Sequence, residues 1–183
     1  MTLIHVDRAR RLQAGMELVL DHDGLSMEHF PQVHEKYPGG IAFHGHRFMF
    51  TDSFERAIET AGTTREAAYR VKDFLIEQVF EAVRLESYPD CLSRFQVIFA
   101  VAPQDYLGIQ HKIAWRDDAV PLPWLIESPH TERRDMTWLR EGSFASPHHD
   151  AHQYWQGNAS HDPYWEYLCA MPVRVVAPYE DTT

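Results

Sequence analysis

His5, the pair Ser93-Arg94, Glu166 and the run His148-His149-Asp150-Ala151-His152 are the residues whose types and spacing could do chemistry in this chain. Glu166 stands in Tyr164-Trp165-Glu166-Tyr167-Leu168. A carboxylate flanked by aromatic rings is partly desolvated. It can accept a hydrogen bond from a sugar hydroxyl and stabilise developing positive charge. On the solvent face of an alternating strand it would do neither. Arg94 precedes an apolar run, where its planar fork suits a phosphate or a carboxylate; an ion pair with Glu81 or Glu86 is the competing use. His5, followed by Val6-Asp7-Arg8, has the half-buried strand histidine as its plainest reading. His148 and His152 would share one helix face, a spacing that can hold a metal, with His44 or His46 adding a ligand. No Cys and no Glu at a typical spacing completes that set, so a solvated polar stretch is the expectation and no metal is predicted. A GxSxG elbow, an HExxH helix and a phosphate-cradling glycine loop are all absent.

The composition narrows the classes. The 183 residues suit one domain, and a hydrophobic fraction of 44% supplies enough apolar surface for a core. The formal charge of -10 excludes binding of nucleic acid by broad phosphate neutralisation. Local basic clusters remain at Arg8, Arg10 and Arg11 and at Arg133 and Arg134. Cys91 and Cys169 sit in no metal or disulfide spacing and suit a reducing compartment. The first residues lack an apolar leader core, and no stretch reaches the ~20 apolar residues of a membrane span. The expectation is a cytoplasmic protein, or one delivered into a target cell without a classical signal peptide.

The elements that must position these residues follow from pattern. Leu3–Val6 reads as a first strand, and Met16–Leu20, after a turn at Gly15, as a second. Residues around 21–60 carry little periodicity and read as an irregular or weakly helical insertion. Thr64–Glu86 is the clearest helix. Ala67, Val71, Phe74, Leu75, Gln78, Val79 and Val83, mostly apolar, recur at three and four, a Thr caps its start, and Pro89 follows its end. Phe95–Val101 reads as a buried strand, Pro103–Gly108 as a short helix and Pro123–Ser128 as a strand. His148–Trp155 reads as helical, and Tyr164–Ala177 as one last strand broken at Pro172. The mixture lacks a βαβ rhythm, which predicts an α+β fold with a small mixed or antiparallel sheet.

Taken in order, several of these blocks resemble a known family. Ile4-His5-Val6-Asp7-Arg8 with Leu12 and Gly15-Met16 resembles the opening of a bacterial family of unknown function, DUF2441, grouped with the ADP-ribosyltransferase-like fold. Glu81 and Arg84, then Pro89, Ser93-Arg94 and Phe99-Ala100, resemble its central block. Arg134-Asp135-Met136, Tyr154-Trp155-Gln156-Gly157 and Glu166-Tyr167-Leu168 resemble its last third. The pattern departs at Ile4, where an aromatic is usual, and at Asp7, where a Thr is usual. The resemblance implies a split sheet with flanking helices around a cleft that binds NAD+ as substrate. It implies that His5 and Glu166 are catalytic: His5 on the ribose, Glu166 stabilising the oxocarbenium-like transition state as nicotinamide leaves. It places His5, Asp7, Arg8, Ser93, Arg94, Phe99, Tyr106 and Trp165 along the dinucleotide. The implied activity is transfer of ADP-ribose to a macromolecular acceptor, protein or nucleic acid, as in toxins, effectors and phage-defence proteins. An inhibitor or antitoxin protein is then a conceivable partner. The alternatives are a non-catalytic nucleotide-binding module of the same fold and a metal-dependent hydrolase using the His148–His152 cluster.

Overall fold

The computed structural model describes residues 1–21, 31–109, 122–140 and 146–180. Among the described residues, seven strands form two antiparallel sheets. β1 (Thr2–Asp7), β4 (Leu122–Glu127), β7 (Val173–Pro178) and β2 (Glu17–Leu18) lie in that order in the first; β3 (Val97–Ala100), β6 (Trp165–Ala170) and β5 (Thr131–Asp135) form the second. The sheets touch at one backbone bridge, where Ile4 and Val101 exchange hydrogen bonds of 2.8 and 2.9 Å. The architecture is α+β, as expected, with all strand pairs antiparallel.

Side-chain alternation divides the residues between two faces. Leu3, Ala100, Trp124, Ile126, Cys169 and Val175 meet in a core between the sheets. The opposite face of the second sheet carries Val97 and Leu168, which pack against Phe80 and Val83 of α4 (Thr64–Ser87) and Ala151 and Tyr154 of α7 (Pro147–Trp155). Thr63 caps α4 by accepting from the Glu66 amide at 3.1 Å. Pro147 opens α7 at a position that needs no amide donor.

Residues 31–59, read as irregular or weakly helical, form three helices, α1 (Pro31–Lys36), α2 (Phe43–Met49) and α3 (Thr51–Glu59); residues 22–30 lie outside the described part. Three other expectations are corrected. Arg94–Gln96 is a 3-10 turn, so the third strand begins only at Val97. The terminal apolar stretch is two strands in different sheets, with the chain changing sheet at Met171-Pro172. The stripe expected to be buried on α4 is rotated: Leu75 is exposed, while Glu77, Glu81 and Arg84 are buried beside Ile76, Phe80 and Val83. Apolar periodicity cannot find a buried face whose charges are paired. The later helices are α5 (Pro103–Ile109) and α6 (Thr137–Arg140).

Gly45 fixes how α2 docks. A Cβ there would lie 2.5 Å from the Phe95 carbonyl oxygen, too close for any side chain. The Ala42 amide donates to that same oxygen at 2.8 Å. The start of α2 is thus held against the turn that carries Arg94.

Candidate functional site

Arg94 is the centre of a buried polar cluster on the helix-facing side of the second sheet. Its Nε and Nη2 donate to the two oxygens of Glu77, each at 2.9 Å. Its Nη1 donates to Glu166 Oε1 at 2.5 Å and to the Tyr154 hydroxyl at 2.6 Å. Tyr154 in turn donates to Glu166 Oε1 at 2.8 Å. The guanidinium carbon lies 4.5 Å from the centre of the Phe99 ring. Glu77, Arg94 and Glu166 are at most 6% exposed. Four elements supply the cluster: α4 gives Glu77, the 3-10 turn Arg94, α7 Tyr154 and β6 Glu166.

Electrostatics follow from this packing. Burial works to raise the Glu77 pKa, but the Arg94 charge, with His44 adding to it, outweighs burial and holds the carboxyl well below the usual range. His44 Nε2 lies 3.2 Å from Glu77 Oε1 but off the axis of a hydrogen bond. Burial, then the neighbouring Glu166, pushes the Tyr154 pKa well up, so the hydroxyl remains a donor. Both donors to Glu166 reach Oε1; Oε2 has no hydrogen-bond partner among the described residues.

His5 lies on the other face. Alternation puts it with Leu3, toward the space between the sheets, and puts Glu166 with Leu168, toward the helices. The link between them runs through β3: His5 Nδ1 is 2.8 Å from the Phe99 carbonyl oxygen, and the Phe99 ring packs on Arg94. A carbonyl only accepts, so Nδ1 carries the hydrogen. Burial lowers the His5 pKa, which keeps the ring neutral near pH 7 and leaves Nε2 as an acceptor.

The sign of the pH effect is fixed by that lowering. The unfolded chain binds a proton below about pH 6.5 that folded His5 resists, so acidification destabilises the fold. His5→Asn keeps a donor where Nδ1 sits and removes the titration. Its stability between pH 7.5 and 5.5, followed by urea denaturation, is expected to fall less than that of the parent; parallel curves would contradict this account.

The remaining predicted residues divide in the same plain way. Asp7 is buried and accepts from the amides of Ala9 and Leu12 at 2.9 and 2.8 Å, which shapes the loop after β1. Arg8 is exposed at the end of that strand. Ser93 caps the 3-10 turn by accepting from the Phe95 amide and donates to Glu81 Oε1 at 2.8 Å. Tyr106 is core, packed with Ile4, Val101 and Tyr164. Trp165 is half-buried, with the Arg133 guanidinium 4.2 Å above its ring. The ion-pair expectation for Arg94 is met by Glu77 and Glu166 rather than Glu81 or Glu86; with the Tyr154 bond these take four of its five N–H donors. Glu81 instead pairs with Arg84 and accepts from Tyr37 at 3.0 Å.

His148 and His152 do share a helix face, with ring centres 4.7 Å apart, but His152 Nδ1 is bonded to the Tyr88 hydroxyl at 2.8 Å. Among the described residues no three His, Cys, Asp or Glu side chains could jointly hold a metal. Two surface concavities of about 250 and 280 Å³ lie between α4 and the helices before it; neither is lined by His5 or Glu166.

Asp135 is a residue the sequence reading gave no role. It is fully buried at the end of β5, and its carboxylate accepts from the amides of Thr137 (2.9 Å), Ser160 (2.7 Å) and Tyr164 (2.8 Å). Burial opposes its charge, but these bonds, Ser160 foremost, hold its pKa below the usual range. The entry into β6, and hence Trp165 and Glu166, hangs on this one side chain. Asp135→Ala orphans three amides and is expected to cost about 3 kcal/mol or more, read from the denaturant midpoint. Asp135→Asn, which keeps one acceptor oxygen, should cost less.

The site and sheets define an α+β protein of antiparallel sheets and flanking helices, with a carboxylate, a guanidinium and a phenol locked together beneath one sheet. The chain matches the family model DUF2441, described as a protein of unknown function, over residues 5–181, and belongs to that family. No curated protein matches the chain. No helix among the described residues is long and apolar enough to cross a membrane.

Proposed function

We propose that the protein is an NAD+-dependent ADP-ribosyltransferase, a single domain of the ADP-ribosyltransferase-like fold in which Glu166 acts on the nicotinamide ribose. The observation that carries this reading is the tethering of Glu166: Arg94 and Tyr154 both bind Oε1, and Oε2 has no partner among the described residues. A carboxylate fixed in this way can accept from a ribose hydroxyl and face the positive charge that grows at the anomeric carbon. The bond between that carbon and the nicotinamide nitrogen breaks with its electrons leaving on nicotinamide. An acceptor nucleophile then forms the new bond and gives up its proton. Neutral His5 keeps Nε2 as an acceptor on the inter-sheet side, so the ribose contact in this reading falls to Glu166 alone. Arg94, buried and paired with Glu77 and Glu166, positions Glu166 rather than gripping the pyrophosphate.

A second reading has its own support. His5 and Glu166 belong to opposite faces of the strands, which favours a non-catalytic nucleotide-binding module of the same fold. Nicotinamide release from NAD+ by purified protein, with and without cell lysate, separates the two. Lysate-dependent release that vanishes in Glu166→Gln supports transfer to a macromolecular acceptor. NAD+ binding without release supports the module, and absence of both removes the nucleotide from the account.

A further inference from the structure

We propose that Arg133 and Trp165 form a nucleotide-binding plate at the open edge of the second sheet, one that takes the adenine and phosphate of an ADP group. β5 is the edge strand of that sheet, and Arg133 sits directly opposite Tyr167 of β6. Both therefore share a face with Trp165 and with Cys169, whose side chain packs in the inter-sheet core. Exposure rises outward along this face: Cys169 is buried, Tyr167 and Trp165 are half-buried, and Arg133 is exposed. His5 looks into the same inter-sheet space.

The two arginines of β5 differ in what they do. Arg134, on the other face, donates to Glu132 at 2.5 Å and to the Cys91 sulfur at 3.3 Å. Arg133 has no acidic partner among the described residues; its guanidinium carbon lies 4.2 Å from the centre of the Trp165 ring. The nearest acid along its face, Asp135, has its oxygens taken by three amides. A guanidinium backed by an indole is a rigid cationic plane. Its outer face stacks on a nucleobase and its edge donates to phosphate oxygens. Asp135 holds the residue before Trp165, so the plate is set before any ligand arrives.

The choice of an adenine nucleotide rests on the NAD+ reading above; the plate itself does not need turnover. The test is calorimetric titration of the full chain with ADP, beside Arg133→Ala, Arg133→Lys and Trp165→Phe, with thermal unfolding to confirm that each variant folds. Arg133 is exposed, so its replacement should leave the fold intact. We expect ADP affinity to drop about ten-fold in Arg133→Ala, the size of one lost stacking contact. Arg133→Lys should recover little of it, because lysine keeps the charge and loses the plane. An Arg133→Ala variant that binds ADP like the parent overturns the proposal, and so does a parent protein that does not bind ADP. Binding of a single-stranded oligonucleotide without ADP binding overturns it as well. Arg133-dependent ADP binding without nicotinamide release keeps the plate and ends the transferase reading. Release with Arg133-independent ADP binding does the reverse.

Discussion

Arg94→Met is expected to remove about 3–5 kcal/mol of stability at neutral pH, a large share of the ~5–15 kcal/mol that holds a domain folded. The side chain neutralises two carboxylates, Glu77 and Glu166, both buried and at 2.5–2.9 Å. Methionine fills similar volume but removes the cation that both carboxylates pair with, so the loss is electrostatic rather than a cavity. pH separates this cause from simple misfit. In the parent, Glu77 has a depressed pKa, so its stabilisation is complete above the unfolded carboxylate value near 4.3 and is lost as pH falls toward the folded value. In the variant, burial without a partner raises the carboxyl pKa values, so acidification relieves the defect. The difference between the two proteins, measured by urea unfolding, should therefore shrink between pH 8 and pH 5. A difference independent of pH would mean that packing, not charge, is what Arg94 supplies.

Glu166→Gln is expected to lower nicotinamide release by a factor of about 10²–10³, the range for losing one preorganised electrostatic contact to a transition state. Glutamine suits the test because its amide oxygen can occupy the place of Oε1 and accept from Arg94 and Tyr154. The other oxygen becomes a neutral donor. NAD+ affinity should change by only a few-fold, since the charge it meets develops on the way to the transition state. A variant that lost affinity and rate in equal measure would show that Glu166 binds the ground state, and its role would shift from catalysis to recognition.

Much of this arrangement was legible in the residues. The first strand, the long helix with its Thr63 cap and the helical turn ending at Trp155 follow from periodicity and end signals that are local. Glu166 was found because a carboxylate between aromatic residues is rarely idle. Its partners were not, for physical reasons. Tyr154 and Asp135 lie in stretches that suggested the family, yet their roles depend on hydroxyl and amide contacts 12 to 60 residues away. Glu77 sits one position from an apolar stripe, and only the arrival of Arg94 makes that position an inside one. β5 was missed because Thr131-Glu132-Arg133-Arg134-Asp135 is almost wholly polar. It pairs as an edge strand whose two faces meet an indole and a paired carboxylate instead of a core.

The order in which the chain visits its two sheets bears on how it must fold. β1 and β2 belong to the first sheet, β3 to the second, β4 to the first, β5 and β6 to the second and β7 to the first. The second sheet closes within residues 97–170, but the first needs both ends of the chain, since β1 waits for β4 and β2 waits for β7. Contacts of such sequence separation charge their loop-closure entropy early and return their stabilisation late. Folding should therefore be a slow, all-or-none event in the millisecond-to-second range, and a nascent chain lacking its last strand would leave β4 and β2 without the neighbour between them.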